Sequence, residues 1–267
     1  MIRRRSRFSQ PGEFGVGRLI AAVALALLPL AAGAAPSACP GHFVGGAAPD
    51  LTDPRLAGKA REICYSGYAV LHSGVTRTPL WAAEHLTRGD VEAAAGFERR
   101  SAFHAEPGLP ADERARLTDY ERSGYDRGHM APSEDMPDPQ AQYESFSLAN
   151  IVPQDPHLNR HLWAGIERLV RGLARERGEL HVVTGPVFQG EALEALNGRV
   201  LVPTGVFKAV YDPGRGQAAA YLAPNAARGE WRLVSLSELQ GTTGIDLFPG
   251  LPAAAKDRPM DLPSPSR

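Results

Sequence analysis

Residues 124–132 read GYDRGHMAP and crowd an acid, an arginine and a histidine around one glycine. Glycine and proline at these positions predict a tight turn, because they mark breaks in regular structure. Taken alone, the tetrapeptide DRGH at its centre, residues 126–129, is most often a solvated surface turn. Asp126, Arg127 and His129 nevertheless make the stretch a candidate site, in which Gly128 would let the backbone carry His129 close to a ligand.

A second polar stretch follows and reads NIVPQDPHLNRHLWAGIERLVR over residues 150–171. Asp155 and Pro156 predict the start of a helix that Gly178 ends, since apolar residues recur between them at helical spacing. Residues four apart form a stripe beside the apolar one: Asn159, Trp163, Glu167 and Arg171. Asn159 would lie in the first turn, where backbone N–H groups favour an anion.

The rest of the chain predicts a mixture of strands and helices. Strands are expected at 67–73, 79–86, 145–154, 179–188, 199–212 and 217–225, and short helices at 53–63 and 235–246. The polar residues from 96 to 119, interrupted by two prolines, predict a long surface loop. We therefore expect a single α+β domain, with no internal repeat.

The N-terminus has the pattern of a secretory signal peptide over residues 1–34. Arginines precede an apolar run of 14 residues from Leu19 to Ala32, which is short for a membrane span. Small residues at Ala32 and Ala34 suit cleavage near Ala34. The expected parts are a signal peptide (1–34), a domain (35–252) and a flexible tail (253–267), in a periplasmic or secreted protein without a membrane anchor.

Charge and cysteine content narrow the function classes further. Removal of residues 1–34 leaves 24 basic against 29 acidic residues, which argues against a stoichiometric nucleic-acid coat. An enzyme with a local basic cleft stays compatible with this balance. The two cysteines, Cys39 and Cys64, both lie in the exported part, where an oxidising compartment favours a disulfide over two buried thiols.

The polar residues of the two stretches fit the hydrolysis of a phosphodiester. A histidine with a pKa of about 6.5 can be neutral at physiological pH, so His129 could take a proton from an attacking water. The amide oxygen of Asn159 is a hard ligand of the kind that Mg²⁺ accepts. Nearby arginines would add fixed positive charge to the transition state.

The two motifs together resemble the DNA/RNA non-specific endonucleases of the ββα-metal superfamily, which include secreted sugar-non-specific nucleases. SGYDRGHMAPSED resembles the DRGH signature of that family, and NIVPQDPHLNRHLWAGIE resembles its second, Asn- and Glu-containing motif. The resemblance implies a ββα-metal nuclease domain with a central, mainly antiparallel sheet flanked by helices. It also implies cleavage of DNA and RNA, with 5′-phosphate ends.

The resemblance also assigns roles at the centre of the site. His129 would be the general base and Asn159 the sole direct protein ligand of Mg²⁺, with Mn²⁺ as an alternative metal. Glu167 would hold metal-bound waters. Asp126 and Asn150 would orient the turn and the histidine.

Three arginines complete the implied site, each through positive charge directed at phosphate. Arg99 would bind phosphate with help from Arg171, and Arg127 would contact the nucleic-acid backbone. Arg100 is the rival of Arg99 for its role. DNA and RNA are the implied substrates, dimers occur among relatives, and an inhibitor protein is left open.

Three other interpretations compete with this one. An exported module could keep the nuclease fold and bind nucleic acid without turnover. His157 and His161 have the spacing of a zinc hydrolase, but Leu158 stands where such a motif carries glutamate. Ser133 lies near His129, but no GxSxG sequence surrounds it, which disfavours acyl transfer.

Overall fold

The computed structural model describes residues 1–2, 37–96 and 98–265. The expected signal peptide therefore falls almost wholly outside the described residues. Within those ranges, no helix combines the length and the apolar character needed to cross a membrane. The compact unit spans Ala35–Arg267.

The central element of this unit is a seven-stranded antiparallel sheet with strand order β12-β11-β10-β7-β4-β3-β2. Three two-stranded ribbons accompany it: β1 with β13, β5 with β6, and β8 with β9. The strands are β1 (Asp50–Leu51), β2 (Ala60–Cys64), β3 (Ala69–Ser73), β4 (Thr78–Thr87), β5 (Asp126–His129), β6 (Ile151–Gln154), β7 (Glu179–Val187), β8 (Ala195–Leu196), β9 (Val200–Leu201), β10 (Gly205–Asp212), β11 (Gln217–Pro224), β12 (Arg232–Val234) and β13 (Ile245–Asp246).

Helices cover both faces of the sheet. The helices are α1 (Arg88–Ala94), α2 (Pro139–Ser145), α3 (Ala164–Arg177), α4 (Leu236–Thr243) and α5 (Ala253–Asp257). On one face, Ile166 and Val170 of α3 pack with Val182 and Val210 of the sheet. The other face packs against residues of α4 and α5. The expected α+β class with a mainly antiparallel sheet is confirmed.

The DRGH residues form a strand and not the tight turn that the sequence predicts. β5 pairs antiparallel with β6, so that Gly128 lies opposite Val152 and His129 opposite Ile151. The φ of Gly128 is outside the left-handed region. Space is what requires the glycine, because a Cβ there would lie 2.1 Å from Oε1 and 2.6 Å from Cβ of Gln154.

The predicted helix between Asp155 and Gly178 is present, but its first part has a different geometry. Leu158–Trp163 is π-helical and leads directly into α3, which ends at Gly178 with φ 98°. A π segment holds more residues per turn and shifts the faces of the helix. Trp163 is fully buried in the core, so within the predicted stripe it serves packing, as its apolar side chain indicates.

Tertiary packing also changes two other segments. Pro54–Ala57 forms a 3₁₀ turn capped by Asp53, as the start of the predicted helix indicates, but the residues after it form β2. The segment from 96 to 119 is not a free surface loop, because it contributes the buried Glu113 and Asp119. These carboxylates bind Arg61 and Arg199 respectively.

The C-terminal residues are packed, in contrast to the expected tail. After α5, Pro259 bridges to β11 at Ala218, and the hydroxyl of Tyr221 donates to the carbonyl of Pro263. Met260 and Leu262 are buried in the core on the α3 face of the sheet. Isolated apolar residues supply this packing without a helical or strand period, which explains why the sequence pattern did not reveal it.

Cys39 and Cys64 form the expected disulfide, with their Cα atoms 5.8 Å apart. It ties the residues before β1 to the end of β2, the edge strand of the sheet. We expect reduction, or replacement of both cysteines by serine, to lower the unfolding free energy by about 3 kcal/mol. Thermal denaturation with and without reductant measures this, and an unchanged melting temperature would contradict it.

Replacement of Gly128 by alanine tests the close contact between β5 and β6. The added methyl group overlaps the buried Gln154, so we expect Gly128→Ala to destabilise the fold by about 2 kcal/mol or more. Gly172→Ala is the matched control, since no atom lies within 4 Å of its added Cβ. Urea denaturation compares the two, and equal stability would show that β5 and β6 separate readily.

Candidate active site

The two sequence motifs meet at one cleft of about 310 Å³. β5 and the residues after it form one side, and the π segment with the start of α3 forms the other. The cleft is lined by Arg99, Arg127, His129, Pro132, Ser133, Glu134, Asn159, Arg160, Ala164, Glu167 and Arg168. The structure thus brings together five of the predicted site residues: His129, Asn159, Glu167, Arg99 and Arg127.

His129 lies at the end of β5 with only 9% of its surface exposed. Its ring contacts Phe103 and Phe146, at centroid distances of 5.3 and 5.0 Å. This burial, together with the charge of Arg99, lowers the pKa of His129 to about 3. The ring is therefore neutral at physiological pH, and among the described residues its Nε2 has no hydrogen-bond partner.

Asn150 holds the chain directly after His129. Its side chain accepts from the backbone N–H of Ala131 and donates to the carbonyls of Ala131 and Ser145. The backbone of Met130 also donates to the carbonyl of Asn150. Asn150 is fully buried, so it fixes the segment that carries the histidine and does not reach the cleft.

Asp126 orients Asn159 across the cleft. The amide nitrogen of Asn159 donates to Asp126 Oδ2 at 2.9 Å, and Arg160 binds the same carboxylate through two nitrogens. Burial raises the pKa of Asp126, but the hydrogen bonds from Arg160 and Asn159 outweigh it and the pKa is lowered. An ionised Asp126 that holds Nδ2 leaves Oδ1 of Asn159 as the available oxygen ligand.

Glu167 lines the cleft from the first turn of α3, eight residues after Asn159. Burial raises its pKa to about 7; the buried ammonium of Lys208 opposes this rise, and Asp135 adds to it. Glu84 is buried within electrostatic range of Glu167, and both of its carboxylate oxygens lack a hydrogen-bond partner among the described residues. This concentration of acids is one that an added cation would stabilise.

Arg171 lies beside the cleft and not in it. Its guanidinium binds Asp135 at 2.8 Å and Glu134 at 2.5 Å, and the arginine is buried. Both acids belong to the SED end of the first motif. Arg171 therefore ties α3 to the segment after His129, and its contacts differ from the phosphate contact expected of it.

The other predicted arginines differ in whether they line the cleft. Arg99 lies over the ring of Phe146, at 5.5 Å from guanidinium carbon to centroid, and Arg127 lies over Phe103 at 5.1 Å. Both line the cleft, whereas Arg100 is not among the lining residues. Of the two rivals, the structure thus brings Arg99 to the histidine.

Several cleft residues carried no sequence prediction. Arg160 and Arg168 line the cleft from the helix, and Glu134 lines it from the segment after His129. Arg160 directly follows Asn159, and this adjacency is the one sequence signal that could have indicated it. Phe103 and Phe146 come from remote segments, so only the fold reveals their contact with His129.

The residues of the two rival chemistries are differently placed. The rings of His157 and His161 are neighbours, with centroids 4.8 Å apart, but both residues are exposed and neither lines the cleft. Ser133 lines the cleft, yet within the described ranges it forms no hydrogen bond with His129.

Comparison with known proteins identifies the family. The model for "DNA/RNA non-specific endonuclease" matches residues 50–254, well over half of the chain. The chain belongs to this family. Its members are hydrolases that act on nucleic acids, and the predicted family is thereby confirmed.

Individual relatives agree with the family assignment. The chain is 32% identical to the mitochondrial endonuclease G of Bos taurus, over 86% of this chain and 83% of the relative. It is 34% identical to nuclease C1 of Cunninghamella echinulata var. echinulata, over 68% and 80%. The solved EndoG/EndoGI complex superposes with a TM-score of 0.63 at 25% identity, over 72% and 87%, and EndoG is a ββα-metal nuclease.

The burial of His129 predicts a pH dependence of stability. The unfolded chain binds a proton on this residue below a pH of about 6.5, whereas the folded chain binds it only near pH 3. Lowering the pH therefore favours the unfolded state. Between pH 7 and 5, we expect this residue to remove about 2 kcal/mol from the unfolding free energy.

Urea denaturation of wild type and His129→Gln at pH 7, 6 and 5, in the presence of EDTA, measures this contribution. The variant should lose about 2 kcal/mol less than the wild type over that range. Other histidines with lowered pKa values, such as His42 and His181, contribute equally to both proteins. Parallel pH profiles would show that His129 is exposed to protonation in the folded state.

Proposed function

We propose that this chain is an exported, divalent-metal-dependent endonuclease that hydrolyses phosphodiester bonds of both DNA and RNA. One observation carries the proposal: a neutral, partly enclosed histidine and an oriented asparagine oxygen face one cleft from opposite sides. The cleft also holds two arginines stacked on aromatic rings. Membership of the nuclease family supports the same chemistry.

The residues of the cleft fit Mg²⁺, or Mn²⁺ in its place. Oδ1 of Asn159 is available because Asp126 holds the amide nitrogen. Glu167 supplies a carboxylate whose raised pKa reflects neighbouring acids and burial, which a cation would offset. Asn159 would bind the metal directly and Glu167 would bind it through water. When bound, the metal supplies positive charge to the phosphate and to the leaving oxygen.

The histidine acts on the attacking water. Nε2 of His129 is buried, whereas Nδ1 is not among the buried nitrogen atoms and has no hydrogen-bond partner among the described residues. Nδ1 would therefore accept a proton as the water oxygen forms its bond to phosphorus. The P–O3′ bond then breaks, and the phosphate stays on the 5′ end of the downstream fragment. The packing of His129 between Phe103 and Phe146 maintains the direction of the ring.

The remaining polar residues position the reacting groups. Arg99 and Arg127 bind the scissile or flanking phosphate, because each presents a guanidinium to the cleft. Asp126 and Asn150 hold Asn159 and the segment after His129, and Arg171 holds Glu134. All of these groups would act on phosphate, metal or backbone, and none is assigned to base edges. This explains low selectivity between DNA and RNA.

We propose a signal peptide over residues 1–34 and a nuclease domain after it. Several relatives are named as mitochondrial, and mitochondrial transit peptides are amphipathic. Here the arginines are confined to the start and a continuous apolar run follows, which favours export to the periplasm or the medium. A protein inhibitor is a further partner, for which the solved EndoG/EndoGI complex provides the analogy, and a homodimer stays a prediction from the resemblance.

The activity is tested by incubation of purified protein with plasmid DNA and with RNA. We expect both to be degraded with Mg²⁺ and neither with EDTA, and we expect 5′-phosphate on the products. His129→Ala should lower turnover by about 10²- to 10⁴-fold or more, since it removes the proton acceptor. His85→Ala is the matched control, because that histidine lies outside the cleft.

The same assay distinguishes the binding module. Stable binding of nucleic acid without cleavage, at any tested divalent ion, would favour a module that keeps the fold without turnover. Near-normal activity of His129→Ala, measured on protein with native circular dichroism, would remove this histidine from the mechanism.

A further inference from the structure

A second and larger depression adjoins the cleft. It measures about 900 Å³ and shares Arg160 and Arg168 with the cleft. We define this depression as the side groove; its basic and aromatic lining residues are His157, Arg160, His161, Arg168, Arg228 and Trp231. Since the two depressions share wall residues, a polymer bound in the cleft would continue into the side groove.

The charge of the side groove is opposite to that of the mature chain. Three arginines and two histidines line it against one acid, Glu230, while the chain without its first 34 residues is mildly acidic. Within the part of the chain that the structure describes, neither Arg168 nor Arg228 forms an ion pair. Their charges are therefore available to a ligand.

Hydrogen bonds hold the loop that carries Arg228 in place. Asn225, which lies between the lining residues Pro224 and Ala226 in the chain, donates to the carbonyls of Pro153 and Pro203 and accepts from the backbone of Asp155. Asp155 in turn caps the helix start by accepting from the N–H groups of His157 and Leu158. One asparagine thus sets the spacing between the loop that carries Arg228 and the helix that carries the histidines.

The loop itself packs tightly. Gly229 lies flat against Pro224, because a Cβ there would come within 2.1 Å of the proline ring. The next aromatic residue, Trp231, is partly exposed and packs against the ring of Tyr221 at 5.7 Å. Trp231 therefore gives the side groove an aromatic surface that is held in place by packing. Arg168 and Arg228, which form no ion pair within the described residues, line the same groove.

We propose that the side groove binds single-stranded nucleic acid that extends from the cleft, with Arg228 on a phosphate and Trp231 against a base. The choice of nucleic acid rests on the proposed function. Aromatic stacking with arginine contacts is how proteins hold single strands without reading sequence. Bases of a duplex are stacked on each other and offer no face to Trp231, which favours a single strand.

Binding of a fluorescently labelled 20-residue oligothymidylate, followed by anisotropy in EDTA over a salt series, tests this proposal without turnover. We expect Arg228→Ala to reduce the slope of log K against log salt by about 0.7, the value of one phosphate contact on a single strand. Trp231→Leu should weaken binding about tenfold at every salt concentration and leave the slope unchanged.

Arg232→Ala is the matched control, since Arg232 is exposed nearby, pairs with Glu238 and does not line the side groove. Its slope and affinity should match those of the wild type. Wild-type slope and affinity in both Arg228→Ala and Trp231→Leu would overturn the proposal. An equal loss of duplex binding in Trp231→Leu would overturn the preference for a single strand.

These outcomes are separate from the test of the proposed function. A wild type that binds through the side groove but never cleaves contradicts the endonuclease and supports the side groove. A wild type that cleaves, with unchanged binding in both groove variants, contradicts the side groove alone.

Discussion

The pairing of β5 with β6 is the constraint on which the site depends. Only glycine fits at position 128, because the side chain of Gln154 occupies the space that a Cβ would need. This close approach puts His129 at the end of a strand that is fixed along its length, and Asn150 then anchors the residues that follow. The next element after β6 is the helix that carries Asn159 and Glu167, so one ribbon fixes the relative position of both halves of the cleft.

A second constraint is the group of charges buried between α3 and the sheet. Burying carboxylates without full compensation is costly, and the raised pKa of Glu167 is a sign of that cost. Arg171 compensates in part by pairing with Asp135, and the buried ammonium of Lys208, which donates to the hydroxyl of Thr184, adds positive charge near Glu167. The cleft itself is lined by two acids, Glu134 and Glu167, and by four arginines, Arg99, Arg127, Arg160 and Arg168. A divalent cation and a phosphate would satisfy these two sets of charges together.

We propose that the cleft and the side groove contact different parts of one nucleic-acid strand. Within the cleft, the groups that we propose as catalytic would all act on features that every nucleotide shares, which would suit an enzyme without sequence preference. The side groove adds charge and an aromatic surface, and these also bind without reading base edges. Asn225 joins the two regions through hydrogen bonds, since its side chain binds the backbone just before the helix that carries Asn159.

The sequence alone determined the features that rest on local pattern: the α+β class, most strands of the sheet, the helix that ends at Gly178, and the two motifs with His129 and Asn159. These features depend on hydrophobic periodicity, helix capping and residue type, all of which are determined by residues close together in the chain. It did not determine that DRGH is a strand, that Leu158–Trp163 is a π segment, or that Met260 and Leu262 pack on the core. Nor did it indicate the ion pairs of Arg171, the role of Phe103 and Phe146 around the histidine, or the side groove. Each of these arises between segments far apart in the chain, and only the packing of the folded protein decides which of them meet.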